Sequence, residues 1–176
     1  MGYLDKSFSG HEKVSLDEAG RLAIPRSMRA VIEDNVVFVT RGADFCLWLY
    51  TVEEWNKRLR KIRKTKPDSV HGRNIRRRYL KYAYRLEIDK QGRINIPQSL
   101  RELAGLSKDC VVNGQDSYIE IWDRERDKAN ECSEEEFRQI SEEFALIEED
   151  EFSDGNNAHS GTGGGNAALS GAEGRG

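Results

Sequence analysis

The sequence predicts an α+β fold in which two copies of one small β-rich unit share a single core, with helices flanking it. Three observations predict it. Sliding the chain by 72 positions lays Asp17 to Arg29 over Asp89 to Arg101, with seven of 13 positions identical. Within each copy, apolar residues alternate with polar ones at the period of a half-buried strand, as at Val14 and Leu16 or Leu86 and Ile88. A unit of about 40 residues with one short helix buries too little surface to fold alone, so the copies are expected to pack on each other.

Each unit reads as strand, turn, strand, short helix, strand, loop, strand. Asp17-x-x-Gly20 and Asp89-x-x-Gly92 supply turn chemistry: the carboxylate accepts a nearby backbone N–H, and glycine takes positive φ without a steric cost. The alternation then resumes at Leu22 and Ile24, and at Ile94 and Ile96. Pro25 and Pro97 suit the first turn of a helix, and Gly105 is placed to end the second one. The β-rich runs Val36 to Thr40 and Cys46 to Tyr50 match Cys110 to Val112 and Tyr118 to Trp122; the gap-free offset sets Val39 against Val111.

Between the copies, Thr51-x-x-Glu54 forms a capping box ahead of a helix whose Val52, Trp55, Leu59 and Ile62 share one face. Ile75, Tyr79 and Tyr82 suggest a second connecting helix from Gly72 to Lys81. Ser133-x-x-Glu136 opens a further helix with Phe137, Ile140, Phe144 and Ile147 on one side and acids on the other. Eight of the last 22 residues are glycine, so the tail from Ser153 has almost nothing to bury and is expected to be disordered. The organisation expected is a first unit over 8–51, a basic helical connector over 52–83, a second unit over 84–130, an acidic helix over 131–152 and the tail over 153–176.

Charge is divided along the chain. Residues 1–129 hold 26 Lys and Arg against 19 Asp and Glu, whereas residues 130–176 hold two against 12, so a net charge of -3 conceals a basic body. Lys57 to Arg85 alone carries 13 basic residues against Asp68. Such a segment is either a solvated helix face or a field that concentrates nucleic acid or an anionic surface. A role at a membrane surface competes with the need of the same apolar face, including Trp55, to cover the core. No run of apolar residues approaches the ~20 that cross a bilayer, and Met1 to Ser15 lacks the pattern of a secretory signal, which predicts a cytosolic protein.

Catalytic signatures are thin. Cys46, Cys110 and Cys132 are far apart without a Cys-x-x-Cys pair, and His11, His71 and His159 are scattered, so no metal or cofactor site is expected and no catalytic residue is assigned. Gly161 to Gly165 resembles a phosphate loop in composition only. The doubled Asp-x-x-x-Arg box is the sharpest feature. A single copy reads as a turn Asp beside a surface Arg. Two copies place Arg21 and Arg93 equivalently, as a device for grasping phosphate or the O6 and N7 edge of guanine, with Asp17 and Asp89 holding the loops.

Phe8-Ser9-Gly10, the doubled Asp-x-x-Gly-Arg-x-x-Ile-Pro-x-Ser-(Met/Leu)-Arg box, Gly42-Ala43-Asp44-x-Cys46-Leu47, Glu54-Trp55 and Ile119-Glu120-Ile121-Trp122 together resemble the MraZ family of bacterial transcriptional regulators, in the SpoVT/AbrB-like superfamily. The resemblance runs from about Phe8 to Asn130. It implies that each copy is half of a swapped-hairpin β-barrel, so that one chain makes a pseudo-twofold barrel, and that subunits close into a homo-oligomeric ring. It further implies a repressor that binds double-stranded DNA at G-rich direct repeats upstream of the division and cell-wall gene cluster, in the cytoplasm and on the nucleoid, without enzymatic activity. The family's DNA-contact motif falls on Asp17 to Arg21 and Asp89 to Arg93, and Arg29 and Arg101 match a superfamily Arg after the Ile-Pro pair. Ala19 departs from the pattern, where a Lys is common. An alternative from another class is an antitoxin-like module that binds a protein through the acidic stretch from Glu131.

Overall fold

The computed structural model describes residues 7–154, with side chains to residue 147. Contacts divide the chain after Glu131 into a body and a segment beginning at Cys132. The body runs β1 (His11–Ser15), β2 (Arg21–Ala23), α1 (Arg26–Arg29), β3 (Val36–Arg41), β4 (Leu47–Thr51), α2 (Val52–Arg63), α3 (Val70–Leu80), β5 (Tyr84–Glu87), β6 (Arg93–Asn95), α4 (Gln98–Ala104), β7 (Asp109–Gln115), β8 (Tyr118–Asp123) and α5 (Arg124–Ala129). The α+β reading holds.

Six strands form one antiparallel sheet in the order β1-β7-β8-β4-β3-β5, and β2 pairs with β6 in a second, two-stranded sheet. The larger sheet is open, with β1 and β5 at its edges, and does not close into the barrel implied by the resemblance. The reason lies in the hairpins. A single isolated bridge, Leu16 to Leu22, joins β1 to β2, because the tight turn sends β2 away from the sheet edge and across the core. The central pair of the small sheet is Leu22 with Ile94, and β4 pairs with β8 about Trp48 and Glu120; both pairs join residues 72 apart, the offset of the internal repeat.

Strand alternation sorts the side chains into faces. Val37, Val39, Leu47, Leu49, Cys110, Val112, Ile119 and Ile121 turn inward and meet Leu22, Ile24, Ile94, Ile96, Met28 and Leu100 in one core. The inward residues of β7 stand 73 positions after those of β3, so one extra residue precedes β7 and Val39 corresponds to Val112, not Val111. On the opposite face, Trp55 of α2 stacks on Phe38 with centroids 5.3 Å apart, and the Arg58 guanidinium lies over Trp48, Tyr50 and Tyr79 at 4.6–5.6 Å. The basic connector therefore covers the side of the sheet turned away from β2 and β6.

Helix ends follow their caps. Thr51 Oγ1 accepts from the Glu54 N–H at 3.2 Å, while the Glu54 carboxylate turns to Lys57 instead of closing the box. Ser69 Oγ accepts from the Gly72 N–H, so α3 begins at Val70, ahead of the Gly72 start expected. Pro25 and Pro97 sit one residue before α1 and α4, and Gly105 ends α4 in the left-handed region. Helix α5 was not anticipated; Asp123 caps it through the Glu125 N–H and ties it to the Ser107 N–H.

The second segment is described by itself. Helix α6 (Glu134–Asp154) opens with a complete capping box: the Glu136 N–H donates to Ser133 Oγ, and the Ser133 N–H donates to the Glu136 carboxylate. It extends past the expected end at residue 152. Phe137, Ile140, Phe144 and Ile147 are all exposed on it. Beyond Asp154 the Gly-rich tail lies outside the described residues.

Leu22 and Ile94 have no exposed surface. Truncating such a side chain removes its transfer energy and leaves a void. Ile94→Ala is expected to lower unfolding stability by about 2–5 kcal/mol in urea denaturation, whereas Ile140→Ala on α6 should change it by under ~0.5 kcal/mol.

Candidate nucleic-acid interface

The two turns that join β1 to β2 and β5 to β6 have the same construction. In the first, the Asp17 carboxylate accepts from the Arg21 backbone N–H at 2.8 Å and from Arg21 Nε at 2.7 Å, and Gly20, at φ +82°, donates its N–H to the Asp17 carbonyl. In the second, Asp89 accepts from the Arg93 backbone N–H and from Arg93 Nε, both at 2.9 Å, with Gly92 at φ +77°. The Asp thus folds the turn and holds the guanidinium at once. Arg21 is engaged through Nε, while Arg93 is also held through Nη2, by Asp89 and by the Gln91 side chain.

Burial of Leu22 and Ile94 fixes which neighbours face solvent. Alternation puts Arg21 and Ala23 on the outer face of β2, and Arg93 and Asn95 on the outer face of β6. Arg21 stands opposite Asn95 and Ala23 opposite Arg93, so the two guanidinium groups occupy diagonal corners of a three-residue ribbon. At a strand rise of ~3.4 Å and a spacing of ~4.8 Å, their Cα atoms lie about 8 Å apart. Asn95 shares this face, and sequence reading missed it: the inward period at Ile94 and Ile96 was its signal, but its partner Arg21 comes from the other copy.

Arg29 and Arg101 are placed elsewhere. Each reaches across to the opposite copy's turn and lies behind its glycine. A Cβ on Gly92 would fall 2.0 Å from Arg29 Nη1, and one on Gly20 would fall 3.0 Å from the Arg101 guanidinium carbon. The Nε atoms of both arginines are buried without a hydrogen-bond partner. The backbone repeats this crossing, since Ile24 N–H donates to the Gly92 carbonyl at 2.9 Å and Ile96 N–H to the Gly20 carbonyl at 2.8 Å. The structure thus brings Arg21 and Arg93 onto the ribbon, keeps Asp17 and Asp89 in the turns that lead into it, and sets Arg29 and Arg101 behind those turns.

No group of His, Cys, Asp and Glu among the described residues is arranged to hold a metal ion. Burial pushes the Cys46 and Cys110 thiols up to about 12, which keeps them protonated and unreactive.

The backbone N–H of Arg21 is the main influence holding the Asp17 carboxyl below its ordinary 3.8; burial opposes it and the Arg21 side chain adds to it. Asp89 is lowered in the same way by the N–H of Arg93. A lowered folded value means that the turn's stabilisation is complete above 3.8 and is lost as pH falls through the lowered value. Carboxyl NMR titration should therefore give midpoints below 3.8 for both, and Arg21→Ala should restore Asp17 only in part, because the N–H survives the substitution. Gly92→Ala puts a side chain at positive φ and is expected to cost ~1–2 kcal/mol by thermal or urea unfolding, with the Arg29 guanidinium displaced from behind the turn.

The family model described as "MraZ protein, putative antitoxin-like" matches the chain twice, over residues 7–77 and 80–153. The chain is also 40% identical over 141 residues to the transcriptional regulator MraZ of Treponema denticola, an alignment that covers 79% of this chain and 98% of that protein. The doubled turn, the ribbon it displays and both matches identify the chain as a member of the MraZ family.

Proposed function

We propose that this chain is a DNA-binding transcriptional regulator, a repressor that reads G-rich direct repeats upstream of the division and cell-wall gene cluster, and that the β2–β6 ribbon is its reading element. The observation that carries the proposal is the outward pair Arg21 and Arg93, each held by its own turn carboxylate on a solvent-facing ribbon. A two-stranded ribbon fits the major groove, and an arginine fork matches guanine O6 and N7. Asn95, opposite Arg21, has the chemistry to read adenine N6 and N7. Arg29 and Arg101 act as struts behind the turns.

Two arginines make a small reader, so affinity is assigned to assembly. The hairpins that exchange between the copies make one pseudo-twofold unit, and a homo-oligomeric ring of such units links weak contacts to evenly spaced repeats. No helix among the described residues is long and apolar enough to cross a membrane, and the site of action proposed is the nucleoid. The role proposed is binding, not catalysis.

A second reading rests on α6. Its exposed stripe of Phe137, Ile140, Phe144 and Ile147 beside acidic residues suits a basic protein partner, and the family model's antitoxin-like description points the same way. Stoichiometric capture of one basic protein, with no shift of promoter DNA, would favour it.

The test is binding of the full chain to its own upstream region, measured by fluorescence anisotropy across salt. Arg21→Ala and Arg93→Ala should each weaken specific binding by about 1–3 kcal/mol, roughly 5- to 150-fold, while leaving unfolding stability nearly unchanged. Parent-like affinity in both variants would refute the ribbon as the reader.

A further inference from the structure

A cleft of about 600 Å³ opens beside the second turn, walled by Arg26, Arg29 and Lys90 together with Asn35, Ile88 and Asp89. Three of these residues are cations, and the one carboxylate, Asp89, is already committed to Arg93. Arg29 is half-buried, with its guanidinium against Gly92 at the back of the cleft. Side chains that only donate, gathered at one concave spot, call for a ligand rich in acceptors and negative charge. Asp89 and Lys90 belong to the same turn as Arg93, so a duplex met by Arg93 carries its sugar-phosphate backbone past this cleft.

The first turn does not repeat this set of cations. At the 72-residue offset Arg26 is replaced by Gln98 and Lys90 by Glu18, and only Arg29 keeps its charge, as Arg101. Across the matching positions, three cations and one acid on one side become two cations, Arg101 and Lys108, and three acids, Asp17, Glu18 and Glu102, on the other; Lys108 stands where Asn35 stands, since their carbonyls accept from the Leu16 and Ile88 N–H groups.

We propose that the cleft of Arg26, Arg29 and Lys90 seats a backbone phosphate of DNA, and that its absence from the other half makes the chain bind its site in one orientation. The proposal rests on the DNA-binding reading above and deepens it. Neutralising the seat withdraws counterion-releasing contacts without touching the groove readers. A chain whose two halves hold the backbone unequally adds to the polarity that its ribbon already carries in Asn95 against Ala23.

The test uses the full chain and a duplex carrying its own upstream region. The double variant Arg26→Gln with Lys90→Glu, which copies the first half's residues, should make the salt dependence of log K shallower by about one, for the single phosphate contact withdrawn. The reciprocal variant, Glu18→Lys with Gln98→Arg, should steepen it by a similar amount, and a gain of binding cannot be produced by misfolding. Lys61→Gln with Lys64→Gln, on the far face of the sheet, should change the slope much less. Ethylation interference should mark phosphates on one side of the parent's site, and those marks should vanish in the Arg26/Lys90 variant. Equal slope changes in the Arg26/Lys90 and Lys61/Lys64 variants, or an interference pattern symmetric about the site, would overturn the proposal while leaving the ribbon reading intact. So would an Arg26/Lys90 variant that loses inorganic phosphate but binds DNA like the parent, since the cleft would then belong to a small anion. A parent that ignores DNA, with or without Arg21 and Arg93, overturns both.

Discussion

The outward face of the ribbon depends on the burial of Leu22 against Ile94. Strands of three residues leave no choice: with the central side chain sealed in the core, the flanking positions must face away from it. Full burial of each central residue contributes about 1.5–3 kcal/mol, more than an exposed Arg–Asp pair supplies at about 0–1 kcal/mol. The core therefore decides where the guanidinium groups stand, and the ion pairs decide only how they are held. A one-residue slip of this register would bury charge and expose leucine, which is why so short a ladder can specify a surface.

The weakness of the exposed ion pairs bears on their purpose. Freezing a long side chain costs up to about 2 kcal/mol of rotamer entropy, and part of that loss is incurred within the fold when Asp17 and Asp89 hold Nε of Arg21 and Arg93. A side chain ordered in advance loses less on contact with a ligand, so the pairs favour recognition more than stability. The buried Nε atoms of Arg29 and Arg101 are a related case in the opposite setting, since both arginines give up solvation to brace a glycine of the other copy. Charge on α2 and α3 lies on the other side of the sheet and acts through the long-range field, which salt screens within about 10 Å at 0.1 M.

The repeat was legible because both turns need the same chemistry, and the caps at Thr51, Ser133 and Gly105 were legible because each acts within four residues of its own position. The extra residue before β7 was not. Cys110, Val111 and Val112 are all buried, on one face or the other, so no polar residue marks the register there. Helix α5 has six residues and no apolar stripe, and its one signal, Asp123, is a residue that also suits a turn. The open sheet and the placement of Arg29 and Arg101 arise from contacts between residues more than 60 positions apart, and local pattern does not encode those distances. The substitutions at 26 against 98 and at 90 against 18 stood in plain view, yet nothing in the chain's order indicates that Arg26 and Lys90 share one cleft.

Two identical arms related by a twofold suit a palindrome, because each arm then meets the same half-site in the same geometry. This chain keeps the arms but differentiates what surrounds them. The Arg21 corner has Asn95 opposite it and Glu18 and Gln98 in the positions beside its turn, so it is richer in base-reading chemistry and poorer in backbone-binding charge. The Arg93 corner faces only Ala23, holds its arginine through two nitrogens, and gathers three cations at its flank. On the proposed reading one half discriminates and the other anchors, and a division of that kind would suit a head-to-tail repeat better than an inverted one. In a ring, where rotation presents every subunit in the same sense, such a polarity would be repeated and not cancelled.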